Sequence, residues 1–451
     1  MSIKVISRQR FEALSFMRLG RVKLISEEQE WYTDDNENVL GVVILDKPDQ
    51  DWLYVILGRD EVARFRAIDQ DINFKTVAEA RTALTQKMEE YARAGENMFP
   101  QGLDQKNQKT FQIFEPLLSQ KLLHQDFIVL AESNGYSPAR EILKEIAYTF
   151  VDTDGNYIQQ FQTNGFDARL WELYLYAVLH EMDYEIDRSY QAPDYMARNI
   201  VGQIVLEATT ANAAPPLLDM EARKLKDIQL EDYVAIRLGS PLFSKLNKRY
   251  WDQAHVKGHP FILAVADFRR HETLSFCAPY LMHYLYGIRQ NETADGGTYS
   301  PIKKHTFEGK TIPSGFFNLP DAENISAVLF SDSGTIAKFN RMGRVAGFGD
   351  PSIIMARVGE RFSRRDSERP EAFRVLVDEQ YQERWSEGIW IFHNPQAKHP
   401  LPMESFSDVA HVRLEKGEFQ VYLNDAFPTW SKTLIFGSGA DWEKYVRGGG
   451  R

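Results

Sequence analysis

The stretch Tyr184-Glu-Ile-Asp-Arg-Ser-Tyr-Gln-Ala-Pro-Asp-Tyr-Met-Ala-Arg-Asn-Ile-Val-Gly-Gln-Ile-Val-Leu-Glu-Ala-Thr-Thr210 decides the reading of the fold. Its last part, Gln203–Thr210, is a strongly β-forming run in which Glu207 is the one charge among apolar neighbours. A strand covered on both faces would hold that carboxylate where something positive must meet it, because an unpaired buried charge is costly. Upstream, Asn199–Gly202 reads as a turn, Ala192-Pro-Asp-Tyr-Met-Ala197 as a second strand and Tyr184–Tyr190 as a third. Asp194 and Glu207 therefore fall on strands that can pair.

Working outward, Leu170–Leu179 has the length and propensity of a helix, is apolar nearly all round, and contains one charge, Glu172. Taken alone, that carboxylate would lie near the first turn, where the helix dipole and water accommodate it. On the other side of the quoted stretch, Ser240 is a candidate N-cap and Pro241 suits a first turn, predicting a helix over Leu242–Trp251. Lys245, Lys248 and Arg249 share a face of it at i, i+3 and i+4 spacing. An ordinary solvated basic face is an equal reading of those three residues. An apolar strand follows at Pro260–Phe268.

Two or three converging carboxylates are hard oxygen ligands suited to Mg²⁺ or Mn²⁺. The order of elements over Phe166–Gly287, with Pro193-Asp194 opening one strand and Glu207-Ala208-Thr209 on the next, resembles the core of the PD-(D/E)XK nuclease superfamily. The resemblance implies an α-β-β-β-α-β core that hydrolyses DNA or RNA phosphodiesters in genome defence or repair. It implies metal held by Asp194, Glu207 and the carbonyl of Ala208, with Glu172 as a further ligand or as the orienter of one. The superfamily's lysine would fall at Thr209, which cannot supply a cation, so Lys245 by preference, or Lys248, is the expected substitute. The rival reading is a non-catalytic nucleic-acid-binding or assembly module that keeps the same core without cleaving.

The flanks predict a multi-domain, mixed α+β chain. Helix Gln9–Leu19, strands Val39–Asp46, Asp51–Arg59 and Phe65–Ile72, and a helix from Thr76 to Arg93 predict a small α/β domain over residues 1–94. It has the element order of double-stranded-RNA-binding domains without their lysine cluster, so it is expected to be an accessory unit through which a protein partner or a second copy docks. A helical connector over 95–165, the core over 166–287 and a β-rich domain over 288–451 complete the division. In the last, Asn324–Phe330 and Thr335–Phe339 read as a hairpin about Ser-Asp-Ser-Gly, with strands at Gly388–His393, Val409–Glu415 and Glu418–Leu423.

Arg357–Arg369 reads as a solvated helix. Arg361, Arg364 and Arg365 from it, with Arg249, are the best candidates for nucleic-acid backbone contacts. His393, His399 and His411 lack a carboxylate or thiolate at compact ligand spacing and read as surface or packing residues. The single cysteine, Cys277, reads as an inert core thiol and excludes internal disulfides and any zinc site with two thiolates. No run is long and apolar enough to span a bilayer and no secretion signal opens the chain, so a cytoplasmic location is expected. The net charge of −11 excludes a protein coated in basic surface and leaves room for a local basic groove.

Overall fold

The computed structural model describes residues 2–16, 20–102, 110–211, 227–268, 277–291, 298–364, 367, 369–437 and 439–447. The fold is mixed α/β. Strands β1 (Ile3–Val5), β2 (Ser26–Asp34), β3 (Val39–Asp46), β4 (Trp52–Arg59) and β5 (Phe65–Phe74) form an antiparallel sheet in sequence order. Helix α1 (Arg8–Leu14) follows β1, and α2 (Val77–Ala94) follows β5. The Thr76 side chain accepts from the Glu79 N–H and Gly95 closes α2 in the left-handed region, so the expected start and stop both hold. Strands β1 and β2 were not legible in the sequence, because SEEQEWYTD is too charged for an apolar alternation to stand out.

One face of this sheet packs on Leu84 and Met88 of α2. The other, through Leu40, Val42 and Leu57, joins a large core built on α3 (Gln125–Glu132), α4 (Ser137–Thr149), α5 (Tyr157–Gln162) and α6 (Phe166–Glu181).

The chain then builds its largest sheet. Its strands are β6 (Glu185–Asp187), β7 (Tyr195–Arg198), β8 (Gln203–Thr210) and, after helix α7 (Asp227–Leu246), β9 (Phe261–Ala266). Helix α8 (Ala278–Tyr286) and the hairpins of β10 (Ile288–Asn291) with β11 (Thr298–Pro301) and β12 (Lys304–Phe307) with β13 (Lys310–Pro313) precede β14 (Ala327–Ser331) and α9 (Ile336–Val345). Strands β15 (Ile354–Phe362), β16 (Glu371–Leu376), β17 (Trp390–His393), β18 (Ala410–Glu415), β19 (Glu418–Tyr422) and β20 (Phe427–Phe436), then α10 (Gly439–Arg447), complete the order.

The large sheet runs β19-β18-β17-β14-β9-β8-β7-β6, with β8, β9 and β14 mutually parallel and β17 parallel to β18. Strands from both sides of Gly287 thus share one sheet, so residues 166–287 and 288–451 are joined through the β9–β14 ladder rather than divided there. Among the described residues the C-terminal part also forms three smaller separate sheets: the two-stranded β10-β11 and β12-β13 and the three-stranded β16-β15-β20.

Three local expectations are corrected. Residues 335–339 do not pair with β14: Thr335 starts helix α9, and the strands beside β14 are β9 and β17. Ser240 is not an N-cap, because α7 runs through Ser240-Pro241. A continuous buried stripe of Leu230, Val234, Leu238, Leu242 and Leu246 outweighs the proline, and Ser240 Oγ donates back to the Ile236 carbonyl at 2.9 Å. Arg357–Phe362 is strand, not solvated helix. Arg357 is buried and donates to Glu387 and the Tyr381 hydroxyl, with Glu383 at 3.4 Å.

Candidate functional site

Register brings the two expected strand carboxylates together. β7 and β8 are antiparallel neighbours with Tyr195 opposite Leu206, so one step further Asp194 stands across from Glu207. The Asp194 N–H donates to Glu207 Oε2 at 3.2 Å, and the Ala208 N–H donates to Asp194 Oδ2 at 2.8 Å. Each carboxylate is thereby fixed by the other's strand. Glu207 points to the same face as Val205, two residues away, and Leu238, Leu242 and Leu246 of α7 cover that face. The last turn of α7 carries Lys245 over the same spot, where its ammonium donates to Glu207 Oε1.

Glu172 enters from the opposite layer. It lies in the second turn of α6, which packs under the other face through Leu170, Trp171 and Tyr174. It is buried, and what accommodates it is Arg169, which donates to both its oxygens at 2.7 and 3.0 Å, rather than water at the helix start. Tyr195 ties the layers together by donating its hydroxyl proton to the Glu172 carbonyl at 2.7 Å. Because Glu172 reaches the cluster from the far face, ligand oxygens of Glu172, Asp194 and Glu207 do not close as a trio to within 4.8 Å of one another.

Burial, and after it the charge of Asp194, lifts Glu172 to about 8 and Glu207 to about 7. Lys245 is raised: burial works against its charge, but Glu207 and then Asp194 outweigh it. Tyr250, which begins the turn after α7, lies beside Glu207 and is raised first by burial and then by that carboxylate. Three carboxyl groups, Glu172, Asp194 and Glu207, thus face three cations, Arg169, Lys245 and Arg188.

Lys248 is exposed and pairs with no carboxylate among the described residues. Arg249 is bound to Asp252 at 2.9 Å and Asp321 at 2.5 Å on the surface. Arg361 lies over the Phe373 ring at 5.0 Å, on the separate sheet, and Arg364 is exposed beyond that strand's end. Arg365 lies outside the described residues. Cys277 is buried, as expected. His393 and His411 are buried and paired at 2.9 Å, and His411 donates to the Phe406 carbonyl, so they are packing residues.

Sequence reasoning missed Arg169, Tyr250 and Arg188. Arg169 had a signal, its i,i+3 spacing from Glu172.

Asp194 and Glu207 are the residues here that could offer oxygens to a hard divalent cation. Asp194 Oδ1 accepts no hydrogen bond among the described residues, and the oxygens of Glu207 are held by a lysine and one N–H. A second group, Glu231, Asp232 and His305, has ligand atoms within 4.8 Å of one another. There Glu231 is already engaged by Arg289 and His283, which against the effect of burial hold it down to about 2, and both nitrogens of His305 are engaged by Asp232 and Ser314. It reads as a polar stitch between α7, α8 and the hairpins. Among the described residues no helix is long and apolar enough to cross a membrane. No family model, curated protein or solved structure matches the chain.

Proposed function

We propose that the protein is a metal-dependent nuclease that hydrolyses DNA or RNA phosphodiesters at Asp194 and Glu207. The observation that carries this reading is the reciprocal anchoring of the two carboxylates on adjacent strands with the Lys245 ammonium beside them. Asp194, Glu207 and the carbonyl of Ala208 would hold Mg²⁺ or Mn²⁺, with Glu172 orienting the set from the opposite layer. A bound divalent cation would supply Lewis-acid chemistry, making a water more acidic and offsetting phosphate charge. Lys245 takes the place that Thr209 leaves without a cation. Its side chain is 26% exposed, so it can swing from Glu207 to a phosphate oxygen without unburying the helix. There its positive charge offsets the negative charge that develops as water oxygen bonds to phosphorus and the ester oxygen departs.

A second reading is favoured by one feature. Arg169 and Lys245 already neutralise Glu172 and Glu207, so the cluster is balanced as it stands and would serve a nucleic-acid-binding or assembly module without cleavage. Incubating the protein with end-labelled DNA and RNA, with Mg²⁺, Mn²⁺ or EDTA, separates the two. Metal-dependent cleavage supports the nuclease; retention of either polymer without cleavage supports the module.

A further inference from the structure

The segment between β6 and β7 carries a cation that this mechanism leaves unused. The Arg188 guanidinium lies 4.0 Å over the Phe150 ring and 5.0 Å from the Tyr195 ring. Its Nε and Nη1 are buried with no acceptor among the described residues. Arg169, on the other side of Glu172, has by contrast spent its N–H groups on Glu172 and Gln160. Arg188 feels Tyr195, Glu172 and Asp194 electrostatically and bonds to none of them. Buried donors left unpaired are costly, and a planar guanidinium held by aromatic faces is best matched by the paired oxygens of a phosphate.

Two residues further on, the ring of Tyr190 stacks on His255 with centroids 3.8 Å apart and 8° between the planes. Tyr190 is 41% exposed. His255 is fixed by donating from Nε2 to the Ala192 carbonyl at 3.1 Å, two residues before Asp194. The nearby carboxylate of Asp187 is turned back onto the Ser189 N–H at 2.9 Å, which sets the turn that presents Tyr190. A partly exposed ring pair two residues along the chain from an unspent arginine has the form of a one-nucleotide platform, since any base can stack on an aromatic face.

Resting on the nuclease reading, we propose that residues Arg188–Asp194 form a nucleotide-binding lip in which Arg188 takes a backbone phosphate and the Tyr190–His255 stack takes an unpaired base. The substrate is then a single strand or an unpaired end, because an intact duplex offers no base face to the platform.

The test is fluorescence anisotropy with a labelled single-stranded DNA, the same sequence in RNA, and the DNA duplex, all in EDTA so that nothing is cleaved. The expected order is single strands tighter than duplex. Arg188→Gln should weaken single-strand binding at least about tenfold and reduce the salt slope by roughly 0.7. Tyr190→Ala, on an exposed side chain that folding does not need, should weaken it by about tenfold at unchanged salt slope. Duplex bound as tightly as single strand, no binding of either, or unchanged affinity in Tyr190→Ala would overturn the lip. Loss of binding in both variants with no cleavage by the native protein in Mn²⁺ would retain the lip and sink the nuclease; native cleavage with unaffected variants would do the reverse.

Discussion

Asp194 and Glu207 hold one another in place: the backbone of Asp194 donates to the Glu207 carboxylate, while the amide after Glu207 donates to the Asp194 carboxylate. Two acids so fixed repel each other, and what makes the arrangement tolerable is Lys245. The first prediction concerns that lysine. Lys245→Ala should lower single-turnover cleavage by about 10²–10³, the scale of losing one preorganised charge stabiliser, while metal still binds. Lys248→Ala, on an exposed side chain, should leave cleavage unchanged; equal losses in the two variants would count against the assignment.

Protonation gives a second prediction. Burial and the Asp194 charge raise Glu172 and Glu207 from the ordinary 4.5 to about 8 and about 7. A carboxyl group raised on folding binds more protons in the folded state, so its contribution favours the fold at low pH and is lost as pH rises from its unfolded value through its folded one. The thermal midpoint of metal-free protein should therefore fall between about pH 5 and about pH 8.5, and Glu172→Gln should flatten that fall. A Glu172→Gln profile superimposable on that of the native protein would show that Glu172 carries no such shift.

A cation held by Asp194 and Glu207 must displace the proton that burial favours on Glu207. Mn²⁺ should accordingly raise the thermal midpoint more near pH 8 than near pH 6, with proton release measurable by calorimetry in buffers of different ionisation enthalpy. Asp194→Ala should abolish the shift. A pH-independent shift, or one that survives in Asp194→Ala, would place the bound ion elsewhere, with Glu231, Asp232 and His305 as the next location to test.

A fourth prediction separates stability from the site. Glu383 is buried among Lys338, Arg341 and Arg357, which hold it well below the usual carboxylate range against the opposing effect of burial. Glu383→Gln leaves those cations without their shared carboxylate and should cost ~3–5 kcal/mol of stability by denaturant unfolding. Metal affinity should be unaffected wherever the variant is folded.

Much of the site was legible because its signals are local. An apolar strand interrupted by Glu207 and a Pro-Asp strand start at Asp194 each follow from spacing within a few residues, whereas the helical face expected of Lys245, Lys248 and Arg249 breaks off because α7 ends at Leu246 and only Lys245 lies on it. What was not legible depends on distant chain. The pairing of β9 with β14, and so the single sheet that runs past Gly287, is a parallel contact across dozens of residues with no local mark. The continuation of α7 through Pro241 is imposed by the sheet face it covers, against the local preference of Ser-Pro for a helix start. Arg188 stood inside the stretch that decided the fold, yet that its Nε and Nη1 find no acceptor among the described residues emerges only once Phe150 and Tyr195 are folded against it.

The most direct test of the central claim is cleavage of labelled single-stranded and duplex DNA and RNA by native protein and by Asp194→Ala, side by side in Mg²⁺, Mn²⁺ and EDTA. Circular dichroism should first establish that the variant is folded. The account predicts phosphodiester cleavage by the native protein, dependent on the metal and absent in Asp194→Ala. No cleavage under any of these conditions, or equal cleavage by the folded Asp194→Ala variant, would contradict it.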